Sequence, residues 1–179
     1  MAKYTEQEFY KPMVNTALKL GKILPSRFKS TQKAVDTSSF KNVAQTVKGL
    51  GPITTPYGGS TRFEKYHPGI DVAANIGTPV SSFVSGKVTE VQKNQSPTSK
   101  GFGNYVVITD ASGNQHRYSH LNQAWVPIGS TIQKGQKFGT IGNTGSTYSL
   151  TGGTGAHLDY RIKNPRTGRY FNPISYLGM

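Results

Sequence analysis

Short runs of β-branched and aromatic residues recur from residue 51 onward, and each run is bounded by Gly, Pro, Asn or Ser. Such runs are typical of strands joined by tight turns. Their regular spacing favours an antiparallel sandwich or a partly closed barrel. We therefore predict an all-β fold, mainly antiparallel sheet and sandwich-like with a groove. The predicted strands cover residues 80–91, 104–109, 115–121, 131–141 and 157–162.

Residues 1–50 differ from the rest of the chain in composition. They hold nine basic and three acidic residues and few alternating runs. Phe9, Met13 and Leu18 follow a loose helical spacing, and Pro12 suits a first helical turn. We predict a basic N-terminal arm over residues 1–50, partly helical or flexible, followed by one globular domain over residues 51–179.

Composition excludes several classes of protein. The chain has no Cys, which rules out a disulfide framework, a thiol nucleophile and a Cys-ligated zinc finger. No apolar run approaches the roughly 20 residues of a membrane-spanning helix, so no transmembrane span is predicted. Glu6 and Glu8 interrupt the first residues, so no secretory signal is predicted. The formal net charge of +13 favours polyanionic surroundings such as nucleic acid, teichoic acid or an anionic membrane.

Two pairs of residues combine an imidazole with a carboxylate. His67 and Asp71 flank a Pro-Gly turn, which can bring both side chains to one point, as a small divalent metal requires. A surface loop would give the same pattern. His157 and Asp159 alternate on a predicted strand and therefore share a face. They could act as ligand and base, form a hydrogen-bonded pair, or lie on a solvated polar face.

The predicted strand 115–121 carries the other two histidines. Alternation places His116, Tyr118 and His120 on one face. Tyr118 could orient His120 or simply pack in the core. We interpret His116 as a structural histidine with its hydrogen bonds satisfied. The Gly/Ser/Thr-rich loop over residues 142–155 precedes the strand of His157, so it is predicted to border a cleft.

Several ordered motifs resemble the lysostaphin-type, or LytM-like, zinc metallopeptidases, a family of peptidoglycan endopeptidases. The resemblance covers about residues 52–177 and leaves the arm outside it. It implies an antiparallel β fold with a groove that holds one zinc ion, so residues 51–179 would be the metallopeptidase domain. The blocks that carry it, in family order, are His67-Pro-Gly-Ile-Asp71, Gly86-Lys-Val88, Gly103-Asn-Tyr-Val-Val-Ile108, Tyr118-Ser-His120-Leu121, Ile141-Gly-Asn-Thr-Gly145 and Gly155-Ala-His157-Leu158.

The resemblance also implies roles for individual residues. In that family the His-x-x-x-Asp pair supplies two metal ligands, which correspond here to His67 and Asp71. The first histidine of a His-x-His motif and the histidine of Tyr-x-His-Leu handle protons, and they correspond to His157 and His120. The second histidine of His-x-His is the third ligand, but this chain has Asp159 at that position.

Asp159 marks the departure from the family pattern. A carboxylate oxygen binds zinc at about 2.0–2.2 Å, so His67, Asp71 and Asp159 are chemically suited to hold one Zn²⁺. Two carboxylates would make the ion a weaker Lewis acid and shift the preference somewhat toward harder metals such as Mn²⁺, the less favoured cofactor. Three explanations stay open: a working variant site, a natural loss of activity, or an engineered substitution. We favour a metal site with retained or reduced activity.

The implied function is a zinc-dependent endopeptidase that cleaves peptidoglycan peptides at a cross-bridge or stem peptide, and so lyses cell walls. Its partners would be peptidoglycan and anionic wall polymers, which attract a cationic enzyme, and a phage virion bound through the arm. It would act at the bacterial wall as a phage lysin, a virion-associated protein or a processed secreted fragment. The main alternative is a catalytically impaired wall-binding or regulatory module on the same fold. Nucleic-acid binding by the arm has only the charge in its favour and is not expected.

Overall fold

The computed structural model of the protein describes residues 46–47 and 49–179, and the helical spacing predicted near Phe9 and Met13 lies outside them. Within those described ranges, no helix has the length and apolarity needed to cross a membrane.

A short helix, α1 (Pro173–Leu177), is capped by the Asn172 side chain. The strands are β1 (Thr46–Val47), β2 (Gly51–Thr55), β3 (Gly69–Ala73), β4 (Pro79–Ser81), β5 (Gly86–Gln92), β6 (Asn104–Thr109), β7 (Gln115–Ala124), β8 (Thr131–Ile132), β9 (Lys137–Ile141), β10 (His157–Lys163) and β11 (Tyr170–Phe171).

The strands pair in the order β1-β2-β3-β10-β7-β6-β5-β8, with β11 on β10 and β9 bridging β4 and β7. Every one of these pairs is antiparallel. The predicted all-β, mainly antiparallel fold is therefore confirmed. β10 lies between β3 and β7, so a hydrogen-bonded neighbour fixes it on each side. Thr46–Val47 pairs with β2, which brings the end of the predicted arm into the sheet.

The hydrophobic core lies on one face of β10 and its neighbours. Leu158, Tyr160 and Ile162 alternate along β10, and none of them is exposed to solvent. Val72 lies opposite Leu158 in β3, and Ile70 lies opposite Tyr160. Burying a large apolar side chain of this kind contributes about 1.5–3 kcal/mol to folding. These contacts hold β10 in one register, and its alternate side chains point to the other face.

Two predicted strands are interrupted in the structure. The segment 80–91 divides into β4 and β5, and the segment 131–141 divides into β8 and β9. The two interruptions bond to each other, since Ser82 N donates to the Gln136 carbonyl over 2.9 Å and Gly135 N donates to the Ser82 carbonyl over 2.7 Å. Gly135 has φ +84°, a left-handed conformation that favours glycine. Each segment was predicted as one continuous strand because the residues on both sides of the break are rich in strand-forming types.

His116 is a structural histidine, as predicted. Its Nε2 lies 3.1 Å from Asp110 Oδ2 and its Nδ1 lies 2.7 Å from the Tyr160 hydroxyl. A carboxylate can only accept, so Nε2 carries the proton and Nδ1 accepts from Tyr160. The Tyr176 hydroxyl donates to the same Asp110 oxygen over 2.6 Å, which ties α1 to the β6–β7 hairpin. The cluster therefore needs His116 to be neutral.

We expect stability to fall on mild acidification because of this cluster. Burial lowers the pKa of His116 below its usual 6.5, and Asp110 offsets this only in part. The unfolded chain therefore takes up a proton at a higher pH than the folded protein, so the stabilisation is complete above about pH 6.5 and declines below it. His116→Gln should lose about 1–3 kcal/mol at pH 7, and the loss should shrink toward pH 5. Urea denaturation of both proteins at several pH values measures the two slopes, and parallel slopes would contradict the assignment.

Candidate metal centre

Three polar side chains share the face of β10 that lies opposite the core. His157, Asp159 and Arg161 alternate with the buried apolar residues. The prediction that His157 and Asp159 share a face is confirmed. The sequence-based prediction did not include Arg161, although the strand alternation that joins His157 and Asp159 extends to it. Its signal was present in the sequence, but no motif called attention to it.

His67, Asp71 and Asp159 meet at one end of this face. Asp71 and Asp159 lie directly opposite each other in the β3–β10 ladder, so the sheet register brings the two carboxylates together. His67 approaches from the loop before β3, where backbone hydrogen bonds with Gly58 and Gly59 hold it. His67 Nε2 is 3.2 Å from Asp71 Oδ1 and 3.9 Å from Asp159 Oδ1. One ligand atom from each residue lies within 4.8 Å of the other two.

The atoms of this cluster fit a divalent cation. His67 Nε2 and Asp71 Oδ1 are both buried, and neither makes a hydrogen bond in spite of their short separation. Buried polar atoms are rarely left without a partner, and an absent ion is one recognised reason. An imidazole nitrogen with two carboxylate oxygens is a donor set that zinc accepts. The predicted ligands are therefore brought together with their lone pairs unused.

Glu64 fixes the orientation of the His67 ring. Its Oε2 lies 3.0 Å from His67 Nδ1 and accepts the ring proton. The lone pair of the neutral ring is then on Nε2, which faces Asp71 and Asp159, an arrangement found behind many metal-bound histidines. Burial opposes protonation of His67, but the nearby carboxylates, Asp71 first, raise its pKa above the usual value. The cluster therefore attracts positive charge.

Arg161 binds both Asp159 and Glu64. Its Nε lies 2.9 Å from each Asp159 oxygen, and its Nη2 lies 2.7 Å from Oδ2. The outer nitrogens, Nη1 and Nη2, donate to the two Glu64 oxygens over 2.8 and 2.9 Å. A carboxylate oxygen has two lone pairs, so Asp159 Oδ1 can accept from Arg161 and still bind an ion. Asp159 is thus paired with the Arg161 cation, a contact that was not predicted from the sequence.

His120 and His157 lie beside the cluster with their rings 4.7 Å apart. Nδ1 of His120 donates to the Thr144 carbonyl over 2.7 Å, and Nδ1 of His157 donates to the Gly155 carbonyl over 2.7 Å. Each ring therefore presents its Nε2 atom toward the cleft. Burial, with His157 next in effect, lowers the pKa of His120 to about 4. His120 is accordingly neutral at pH 7 and able to accept a proton.

Backbone geometry turns His120 away from the core. His120 has φ +62°, which is unusual for a residue with a side chain and breaks the alternation of β7. Tyr118 stays in the core, where its hydroxyl accepts from Phe83 N over 2.8 Å. His116, Tyr118 and His120 therefore do not share one face, and that prediction was wrong. Tyr118 packs, as its alternative interpretation stated, and it does not orient His120.

The cluster forms the floor of a cleft of about 250 Å³. Phe63, Phe102 and Tyr148 contribute aromatic walls, and Phe63 meets Tyr148 edge to face with 5.5 Å between ring centroids. Tyr148 belongs to the loop over residues 142–155, so the prediction that this loop borders a cleft is confirmed. The cleft therefore brings the potential metal ligands and the two imidazoles, His120 and His157, to one place.

Comparison with known sequences assigns the family. The match to peptidase family M23 extends over residues 65–173, more than half of the chain. The protein belongs to this family, and the resemblance to lysostaphin-type peptidases is confirmed. The peptidoglycan DD-endopeptidase ShyC of Vibrio cholerae is 36% identical over 109 residues, which are 58% of this chain and 23% of ShyC. This chain thus matches less than a quarter of that relative.

Solved structures give the same result. A zinc-containing peptidase from Vibrio cholerae superposes with a TM-score of 0.52 and 30% identity, over 66% of this chain and 35% of that chain. The antimicrobial peptidase lysostaphin from Staphylococcus simulans superposes with a TM-score of 0.58 and 27% identity, over 75% of this chain and 53% of that chain. Both values support a shared peptidase fold.

Asp159→Asn tests whether Asp159 belongs to the metal centre. The amide keeps the size of the side chain and one acceptor oxygen but removes the charge. We expect Zn²⁺ affinity to fall by at least the roughly 10–100-fold typical of disturbing a metal ligand's support. Competition with a chromophoric chelator measures the change. Glu90→Gln, at an exposed carboxylate on β5, is the matched control and should bind zinc like the unaltered protein. Equal affinity in Asp159→Asn would show that Asp159 is not a ligand.

Proposed function

We propose that the protein is a zinc-dependent endopeptidase that cleaves peptide bonds of bacterial peptidoglycan. One observation carries the proposal: three potential metal ligands, two of them with buried atoms that make no hydrogen bond, lie beside two oriented imidazoles in a single cleft. Membership of peptidase family M23 supports the reaction class. The name of ShyC supports the substrate, and the zinc in the Vibrio cholerae peptidase supports the metal over Mn²⁺.

His67, Asp71 and Asp159 would hold the ion. When bound, zinc would supply Lewis acidity toward the scissile carbonyl and the attacking water. The Glu64 carboxylate keeps the His67 ring in the tautomer that ligation requires. The pairing of Asp159 with Arg161 offsets part of the negative charge that two carboxylates bring. This pairing favours retained activity over the loss of Lewis acidity expected from the carboxylates alone.

His120 and His157 would move the protons of the reaction. One ring would accept the proton of the attacking water at Nε2, and the other, entering the step protonated on both nitrogens, would stabilise the developing oxyanion through Nε2–H and later give that proton to the leaving amine. Their Nδ1 atoms are fixed on the Thr144 and Gly155 carbonyls, so both rings keep Nε2 toward the substrate. The anchoring hydrogen bonds do not choose between the two assignments of base and acid, because both rings are held in the same way.

A wall-binding or regulatory module is the second candidate. Only the replacement of the third histidine ligand by Asp159 favours it. Against it, the cleft retains two buried ligand atoms without partners and two oriented imidazoles. A scaffold that only binds would gain nothing from burying these groups, so we favour the enzyme.

The positive net charge of the chain is consistent with action at the bacterial cell wall. The formal net charge of +13 would concentrate the protein on anionic wall polymers. Docking to a phage virion through residues 1–50 stays a prediction, as does action as a phage lysin, because residues 1–45 and 48 lie outside the described part of the chain.

Chelation tests the proposed activity. Purified peptidoglycan incubated with the protein should lose turbidity and gain new free amino groups. Removal of the ion with 1,10-phenanthroline should stop both changes, and added Zn²⁺ should restore them. Cleavage that survives complete metal removal would contradict the proposal. A protein that binds the wall without any cleavage, with or without added Zn²⁺ or Mn²⁺, would identify the binding module instead.

Removal of either proton-handling ring should separate catalysis from metal binding. We expect His120→Ala and His157→Ala each to lower turnover by about 10²–10⁴-fold, the usual contribution of a general acid or base. Zinc content should stay at one ion per chain. His116→Gln, assayed well below its melting temperature, is the histidine control and should retain activity. Normal turnover in His120→Ala would refute its assigned role.

A further inference from the structure

A chain of alternating charges runs through the site, with Arg161 between two carboxylates. Asp159 contacts one edge of the guanidinium, and Glu64 contacts the other through both of its oxygens. Glu64 then accepts the ring proton of His67. One arginine thus holds the carboxylate of one potential ligand directly and orients a second ligand through Glu64. Two of the three metal-binding groups depend on its position.

Arg161 is built into the protein rather than lying on its surface. Only 8% of its side chain is exposed, and 3% of the Asp159 side chain. Gly69 of β3 lies opposite Arg161 in the sheet, and a Cβ atom there would come within 2.6 Å of Arg161 Cγ. The absence of a side chain at Gly69 makes the space that the arginine stem uses. The Phe102 ring covers the guanidinium, with 4.8 Å between the Arg161 Cζ and the ring centroid.

We propose, on the basis of the metal centre put forward above, that Arg161 is a positioning residue that acts as the site's permanent counter-cation. It keeps Asp159 and His67 in the ligating arrangement when no ion is bound. Asp71 and Asp159 lie opposite each other, and two buried carboxylates without a cation repel each other and lose their hydration. Arg161 cancels one of these charges. With His67 neutral, the three carboxylates Glu64, Asp71 and Asp159 together with Arg161 carry a charge of about −2, one unit less negative than the same groups without the arginine.

Two consequences follow for the ion. The site is assembled before the ion arrives, so binding requires little rearrangement. The ion also keeps more of its positive charge than it would between two uncompensated carboxylates, which preserves its strength as a Lewis acid. The fixed positive charge of Arg161 must also lower the affinity of the site for the metal ion. Removal of Arg161 should therefore make the protein less stable without metal and the metal more tightly bound.

The test compares melting temperatures with EDTA and with saturating Zn²⁺, at one fixed pH, in the full chain. We expect Arg161→Met to melt about 6–12 °C lower in EDTA, the effect of breaking a buried ion pair in a domain of this size. In Zn²⁺ the loss should be less than half as large, because the ion replaces the missing cation. Chelator competition should show Zn²⁺ binding roughly tenfold more tightly, a change of about 1.4 kcal/mol.

Arg117→Met is the matched control. Arg117 lies directly opposite Arg161 in the β7–β10 ladder and its guanidinium stacks on the same Phe102 ring at 3.9 Å. Unlike Arg161, it makes no ion pair with a carboxylate in residues 46–47 or 49–179. Its loss should lower the two melting temperatures equally. Arg161→Lys keeps the charge and should show the same gain from Zn²⁺ as the unaltered protein.

The double variant Asp159→His/Arg161→Met decides the case if Arg161→Met does not fold in EDTA. A neutral ligand needs no counter-cation, so the double variant should fold in EDTA and recover the Zn²⁺-dependent gain of the unaltered protein. Equal losses with and without Zn²⁺ in Arg161→Met, while the unaltered protein responds to the ion, would overturn the role of Arg161 alone. A melting temperature that no divalent ion changes in any variant would overturn the metal centre and this role together.

Discussion

The antiparallel register of β10 with β3 is the constraint on which the site depends. It places Asp159 directly opposite Asp71 and leaves Leu158 and Tyr160 in the core. A slip by one residue would carry every side chain of β10 to the other face, burying Asp159 among apolar residues and exposing Leu158 in the cleft. The same apolar contacts that stabilise the sheet therefore also fix the distance between the two carboxylates. Stability and site geometry have a common origin in this ladder.

Concentrated charge is the second feature that shapes the molecule. Two carboxylates and one imidazole lie buried with a ligand atom of each within 4.8 Å of the other two, which is costly unless positive charge is supplied. Arg161 supplies it from within the chain, and the unused lone pairs of His67 and Asp71 face the place where a divalent ion would supply more. His120 and His157 are both oriented by backbone carbonyls, which bind their Nδ1 atoms and leave each Nε2 toward the cleft.

Membership of peptidase family M23 accounts for the fold that this chain shares with the known peptidases. Asp159 is the position at which the chain departs from the motif that the sequence otherwise resembles. The difference extends beyond one residue. Asp159, Arg161 and Glu64 form one hydrogen-bonded unit, so the carboxylate at position 159 comes together with a compensating cation. A neutral histidine at position 159 would not form this ion pair with Arg161. We therefore interpret the departure at Asp159 as a rearranged site rather than as the loss of a ligand from an unchanged one.

The sequence by itself determined the all-β class, the alternation of His157 and Asp159, and the five residues that converge on the cleft. The class and the alternation follow from local periodicity, because strand side chains alternate regardless of their partners, and the five residues were implied by the resemblance of short motifs to a known family. Only the tertiary structure decided the rest. Arg161 and Glu64 are 97 positions apart, so no local pattern could pair them. The left-handed backbone at His120 depends on its neighbours in the fold, and the strand breaks at Ser82 and Gly135 exist because the two segments bond to each other. Contacts between distant parts of the chain fix such features, and those contacts form only when the sheet closes.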